Sequence, residues 1–451
     1  CRVSGLDVPR LLLRRSFQAR VLGCSRMMVV VALPSPAKAQ RGETADSSGI
    51  AAVRSFVRPL GISVFRIAEV SFPALRLTLQ GLGRDGGASV VLEQARFGAA
   101  DLLFRLTGDP RSRGTVSAGR ARLGATGLVL RLDPATEITV GRLDAGLTDS
   151  TLVLADVRRE PSMPDEEWVR RQRVRDDRTR FALDRLRARG VAYRSFIATG
   201  DIGIRALELS GARLDVLSDW RIPKGPPRRH RSPQQVAARA GPAVRLDTVL
   251  VTGGTIAYSE RRPGRERPGV VSFDAVRGTV LDLHLPSRGQ PLRIRASARL
   301  MGEGALTVQA SVPLDAPDFR YELSGKLGKM PAGAFNRFLG VNEDFEFDDG
   351  WVEEIVFRQT ARGGRAATTL TPRYRELSVE PTGEGGGVAG SVKRAVEELL
   401  AGAFVVRSRN PDEDGENLRT ARTVHRYDPT ETWFQFLWFG LRDGLMEAVK
   451  E

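Results

Sequence analysis

Cysteine is nearly missing from this 451-residue chain, which holds two, Cys1 and Cys24. A disulfide framework and a cysteine-built metal site are thereby excluded, and so low a thiol content fits a reducing or an oxidising compartment equally. Histidine is as scarce, at three. His230, His284 and His425 stand far apart, none at a metal-ligand spacing from another, so neither a metal nor a histidine base is expected. Lysine occurs only at Lys38, Lys224, Lys326, Lys329, Lys393 and Lys450, so arginine carries nearly all the positive charge. No apolar run reaches about 18 residues, and no transmembrane helix or signal peptide is visible. Aromatic residues make up 6% of the chain, and several crowd into 428–451.

What is present is an ordinary apolar content of 41%, enough for a folded core in a chain of two or three domains. The formal charge of +15 points to an anionic partner. Its arginines are interspersed with acids rather than massed on one stripe, and no reader motif accompanies them, so nucleic acid is not expected. Anionic lipid headgroups are the second use for such charge. The chain opens at Cys1 rather than Met, almost inside a repeat, and reads as a piece whose N-terminus is missing. Cys1 would suit lipidation, but no cleavage signal precedes it.

The most informative feature is an internal repeat. Val64, Val70, Leu75 and Leu77 recur as Val244, Val251, Ile256 and Tyr258. Ala95, Gly98, Asp101 and Leu102 recur as Ala275, Gly278, Asp282 and Leu283. Each copy reads as strands, a Pro-rich loop, a short helix and more strands. Repetition of one β unit builds an extended surface rather than a single pocket.

The expected organisation is a first β module over 1–160 and a charged helix and connector over 161–189. A second β module follows over 190–380, and C-terminal helices with an acidic loop over 381–451. Pro164 and the acids Asp165, Glu166 and Glu167 predict a helix from about Pro164 to Arg173. Residues 223–235, rich in Pro and Arg, predict an exposed loop that trypsin cuts near Arg228, Arg229 or Arg231. Residues 388–404 have helical spacing. Asp428, Pro429 and Glu431 read as the cap, first-position proline and capping-box acid of a last helix.

In 291–314, Leu292, Ile294, Ala296, Ala298 and Leu300 alternate with Arg and Ser. After a turn at Gly302-Glu303-Gly304, Leu306, Val308, Ala310 and Val312 alternate again. This is a hairpin with one apolar face. A second hairpin is expected over 351–374, turning at Gly363-Gly364. In the last helix, Trp433, Leu437, Leu441, Leu445 and Val449 recur every four residues, joined by Phe434 and Trp438. They predict either a cap on the sheet or an interfacial membrane helix.

Catalytic patterns fail on context. Gly81, Gly83 and Gly86 match the dinucleotide fingerprint, but a strand follows where a helix is required, so a hairpin turn is the reading. "GEGGG" (383–387) lacks the lysine of a phosphate loop. No nucleophile elbow, Cys–His pair or carboxylate constellation stands out, so neither an enzyme nor a cofactor is expected.

Three passages, "STLVLADVRREPSMPDEEWVRR", "LDTVLVTGGTIAYSERRPGRERPGVVSFDAVRGTVLDL" and "RIRASARLMGEGALTVQASVPLDAPDFRYELSGKLGKMPAGAFNRFL", resemble the AsmA-like superfamily of bacterial envelope proteins. The closing "DPTETWFQFLWFGLRDGL" is similar to an aromatic C-terminal helix of some members. The resemblance covers about 140–451, and the internal repeat brings in the rest. It implies a mostly β, elongated, open antiparallel sheet forming a groove from two related modules, with short helices and a helical C-terminal end. It also implies a periplasmic protein held in the inner membrane by an N-terminal segment outside this chain. Its function would be to bind or conduct phospholipid or another envelope lipid in outer-membrane maintenance, with the apolar face of the 291–314 hairpin as the candidate lipid groove. The alternative is an assembly scaffold for envelope proteins, and a membrane surface is a further candidate partner.

Overall fold

The computed structural model describes residues 1–14, 16–32, 64–82, 88–105, 115–133, 136–161, 163–223, 225–226, 230–239, 243–287, 289–342, 345–381, 407–428 and 430–449. The chain is mostly β, with an open sheet that does not close into a barrel, as expected. The helix expected over 388–404, the "GEGGG" segment and residues 34–49 lie outside the described residues. The backbone divides into two compact units. The first holds Cys1–Ser162, Phe181–Ser210 and Pro242–Asp247, and the second Met163–Arg180, Gly211–Gly241 and Thr248–Glu451.

The first ten strands among the described residues are β1 (Arg2–Ser4), β2 (Ser16–Gly23), β3 (Met27–Ala32), β4 (Val64–Leu82), β5 (Ala88–Arg105), β6 (Thr115–Ser117), β7 (Arg120–Asp133), β8 (Thr136–Gly146), β9 (Thr151–Pro161) and β10 (Arg178–Arg189). β4, β5, β7, β8, β9 and β10 are successive antiparallel neighbours. β2 and β3 both run parallel to β4, as one long strand interrupted at Cys24. Cys24 is joined to Cys1 by a disulfide, which occupies the thiol that lipidation would use. β4 and β5 pair as far as Leu82 and Ala88, so the segment containing Gly83 and Gly86 joins two strands. Among the described residues this unit also holds the short helices α1 (Val8–Arg14) and, further along the chain, α3 (Tyr193–Thr199).

Next come α2 (Asp165–Arg171), β11 (Ile202–Asp219), α4 (Pro233–Ala238) and β12 (Val244–Arg261). The Ile202 amide donates to Ala243 O at 2.8 Å, and the Trp220 amide to Arg261 O at 2.8 Å. Strand starts meet starts and ends meet ends, so β11 runs parallel to β12 as β2 and β3 run parallel to β4. This crossover is the structural content of the sequence repeat, and it makes the sheet mixed rather than purely antiparallel. The repeated aspartates also share a backbone state, with φ 53° at Asp101 and 63° at Asp282.

The second unit continues with β13 (Gly269–Leu285), β14 (Leu292–Leu300), β15 (Gly304–Val312), β16 (Tyr321–Leu327), β17 (Met330–Pro331), α5 (Asn336–Asn342), β18 (Phe345–Arg362), β19 (Arg365–Pro381), β20 (Ala421–Arg426) and α6 (Trp433–Val449). β13–β14–β15–β16–β18–β19–β20 are antiparallel neighbours. The β14–β15 hairpin has the expected register, from Leu292↔Val312 to Leu300↔Gly304. Gly363 and Gly364, at φ 56° and 71°, make the tight turn between β18 and β19, a conformation that disfavours any residue with a Cβ.

Two local expectations are corrected. Residues 223–235 do not end as an exposed loop. Ser232 caps α4, a reciprocal capping box with Gln235 closes its first turn, and Ser232 and Gln234 are buried. The Gln234 amide donates to Pro313 O and Arg320 O at 3.2 and 2.7 Å, which fastens the segment. Arg228 and Arg229 lie outside the described residues. The cap of α6 is also not Asp428 with Glu431. The Thr432 hydroxyl accepts from the Gln435 amide at 3.1 Å, and Gln435 Oε1 from the Thr432 amide at 2.9 Å. Asp428 instead closes a local turn onto Thr430, and Glu431 turns to His425.

Candidate functional site

The expected groove residues come together. The register puts Leu292, Ile294, Ala296, Ala298 and Leu300 opposite Val312, Ala310, Val308, Leu306 and Gly304 on one face of the hairpin. Their side chains are half-buried, while Arg293, Arg295, Arg299, Thr307 and Gln309 are exposed. The face continues into β16 at Leu323 and Leu327, and on to Phe357 and Ile355 of β18.

Much of this face is covered. The last helix lies on β18, β19 and β20 as a cap. Its buried stripe is Phe436, Gly440, Gly444 and Ala448, one residue round from the stripe read in the sequence. The difference follows from close approach. A Cβ on Gly440 would stand 2.3 Å from Gln359 Nε2, so glycines let the backbone sit directly on the sheet. Leu437 and Leu441 are half-buried at the flank, packing with Val308, Ala310 and Val312 against the Tyr321–Ala361–Phe436 cluster. Leu445 packs on the Leu370–Ala421–Ala448 cluster. Trp433, Phe434 and Trp438 remain exposed, and Val449 is half-buried.

A fully buried polar node fixes the helix. The Tyr321 hydroxyl donates to Gln359 Oε1 at 2.6 Å. Gln359 Nε2 donates to Thr368 Oγ1 at 2.9 Å and to Leu437 O at 3.2 Å. Burial pushes the Tyr321 phenol well above its ordinary value. His425 lies between Asp443 of α6 and Glu431, at 3.0 and 3.2 Å. At the other end of the strip, Ala334 and Phe335 pack on the Met301–Leu327–Met330–Val352 cluster with Leu300 and Leu306.

The first unit carries a larger apolar face that sequence reading missed. One row runs Leu77, Leu92, Leu128, Val140, Val157 and Leu183 across six strands, each opposite the next. A second runs Leu75, Ala95, Ala125, Leu143, Leu154 and Leu186. A third runs Phe72, Phe97, Leu123, Ala145, Leu152 and Ala188. All are buried or half-buried. Five strand spacings make each row about 24 Å long, against about 15 Å for one leaflet of a bilayer core. The opposite face is charged: Arg142 pairs with Asp144 at 2.6 Å and Arg76 with Glu93 at 2.9 Å.

The signal that could have found these rows is the spacing of three between Leu92 and Ala95, Ala125 and Leu128, Val140 and Leu143, and Leu154 and Val157. A strand puts alternate residues on one face, so a spacing of three needs a local break. The break is visible in Gly127 and Asp156, both at positive φ.

A second missed feature is polar. The guanidiniums of Arg175 and Arg262 lie 4.4 and 4.0 Å from the ring centroid of Trp220. Buried Glu260 pairs with Arg262 at 2.7 Å, yet burial outweighs the pair and pushes its carboxyl up. Burial likewise raises Asp177 and Tyr258. Arg175 also donates to Ile222 O and Trp220 O, and Glu166 of α2 pairs with Arg221 and Arg261. The cluster fastens the charged 163–180 segment to the ends of β11 and β12.

Among the described residues no group of His, Cys, Asp and Glu is placed to hold a metal ion. Glu353 and Glu354 are ion-paired with Lys329, Arg375 and Lys326. No protein-family model matches the chain, and no curated protein matches it.

Proposed function

We propose that this chain is a non-enzymatic protein that holds lipid acyl chains along the apolar face of its β-sheet. The observation that carries the reading is the six-strand row from Leu77 to Leu183, flanked by two more rows in register and backed by a charged outer face. Each buried CH₂ of an acyl chain contributes about 0.8 kcal/mol, so such a face can carry lipid without a headgroup site. The half-buried strip of Ile294, Ala296, Val308 and Ala310 has the same chemistry, with Val308 and Ala310 packed in part against the Tyr321–Ala361–Phe436 cluster. The sequence resemblance to AsmA-like envelope proteins supports the same reading, with a periplasmic setting and outer-membrane maintenance as the context. The Cys1–Cys24 disulfide suits an oxidising compartment.

The test is mass spectrometry of lipid extracted with the purified protein. Stoichiometric phospholipid is expected, reduced by Leu128→Asp, and by Ile294→Asp or Val308→Asp if that strip shares the load. Circular dichroism serves as the folding control. A folded protein that carries no lipid would overturn the reading in favour of an envelope scaffold.

A further inference from the structure

We propose that one end of the second unit is a docking surface for an anionic membrane, formed by the outer stripe of α6 together with α4. Phe434, Leu437, Trp438, Leu441 and Leu445 fall at the spacing of a single helical stripe. Its leucines are half-buried, but Phe434 and Trp438 are 55% and 49% exposed, as is Trp433 at 49%. The helix does not need these three rings to fold, because Phe436, Gly440, Gly444 and Ala448 already fasten it to the sheet. An exposed apolar group of this size on an anchored helix marks a contact with something else.

α4 belongs to the same end. The Tyr427 hydroxyl donates to His230 O at 3.3 Å. Phe319, just before Arg320, packs its ring 5.3 Å from Phe436, and Gln234 bonds to Arg320 O. Val236 on α4 is 52% exposed, and Arg231 and Arg239 on either side of it are exposed as well.

Aromatic rings beside arginines suit the boundary of a bilayer with anionic headgroups: the rings enter the headgroup–acyl border and the cations meet phosphate. A second copy of the chain fits less well, because a two-fold contact here would bring two arginine-bearing patches together. Among the described residues no helix is long and apolar enough to cross a membrane, so α6 lies in the interface plane. This surface does not depend on lipid occupying the apolar rows, and the two are measured separately.

The experiment is co-sedimentation of the chain with phosphatidylcholine vesicles, with and without phosphatidylglycerol. Binding to the phosphatidylglycerol vesicles is expected, weakened by salt. The double variant Trp433→Ser, Trp438→Ser should lower partitioning roughly tenfold or more, since two half-exposed rings no longer enter the interface. Arg231→Glu with Arg239→Glu should remove the preference for phosphatidylglycerol. All four positions are exposed, so folding is retained, and the lipid extracted with each variant should match the parent's. A parent that ignores both vesicle types, or a double Trp variant that binds as the parent does, would overturn the proposal. So would a parent dimer in sedimentation velocity that the Trp variant converts to monomer.

Discussion

The two units use the same strand chemistry to different ends. In the second, the apolar face under β18, β19 and β20 is closed by a helix, and Phe436, Gln359 and Thr368 are fully buried there. In the first, the three apolar rows cross β4, β5, β7, β8, β9 and β10, and the described helices α1 and α3 are each a mere seven residues long. The difference teaches that apolar rows of the same chemistry are buried under a long helix in one unit and, among the described residues, without one in the other.

The sharpest way to break the comparison is to cut the closed face. Phe436→Ala should cost about 3–5 kcal/mol by denaturant titration, as expected for a fully buried ring, whereas Leu128→Ala in the first unit should cost less. Equal losses would erase the distinction between the face under α6 and the rows of the first unit. Next, Cys24→Ser removes a cross-link spanning 23 residues in the first unit, worth about 2–4 kcal/mol. Proteolysis should then open the strands around β1 and β2 while the β18–β20 region keeps its protection. Gly440→Ala should follow at about 1–3 kcal/mol, because the added methyl meets the Gln359 amide held by three hydrogen bonds. A melting temperature equal to the parent's would mean that the helix docks less closely than described.

The smallest effect is a pH dependence in the second unit. Glu260 has its carboxyl raised above its unfolded value by burial. Its charged form is therefore penalised in the folded protein at neutral pH, and stability should rise as pH falls through the folded value, levelling below the unfolded one. Glu166 and Asp219, held low by Arg221, act in the opposite sense and lose their contribution only at more acid pH. Thermal melts between neutral and mildly acid pH should show the rise, and Glu260→Gln should flatten it. A rise unchanged in that variant would assign it to another group, with Asp177 the next to test.

Regular alternation made the hairpins legible. Leu292 to Val312 and the Gly363-Gly364 turn were readable because a period of two and a glycine pair are local signals. The rows of the first unit were not, because the break at Gly127 and Asp156 shifts the period to three and hides one face as two unrelated runs. The stripe of α6 was off by one residue because hydrophobicity ranks Leu above Gly, whereas contact with the sheet favoured the small residue. The Trp220 cluster depends on residues from three separate segments, which no local pattern reveals.

The central claim is that the apolar face of the first unit is where lipid sits. Two nearby positions on β7 test it directly. Leu128 lies in the apolar row, and Thr126, beyond the break at Gly127, lies opposite Gln94 with its side chain exposed. A photo-crosslinking residue placed at each, irradiated in the presence of phospholipid, should give a lipid adduct at position 128 and little at 126. Equal adducts at both positions, or none at 128 while lipid remains bound, would contradict the account.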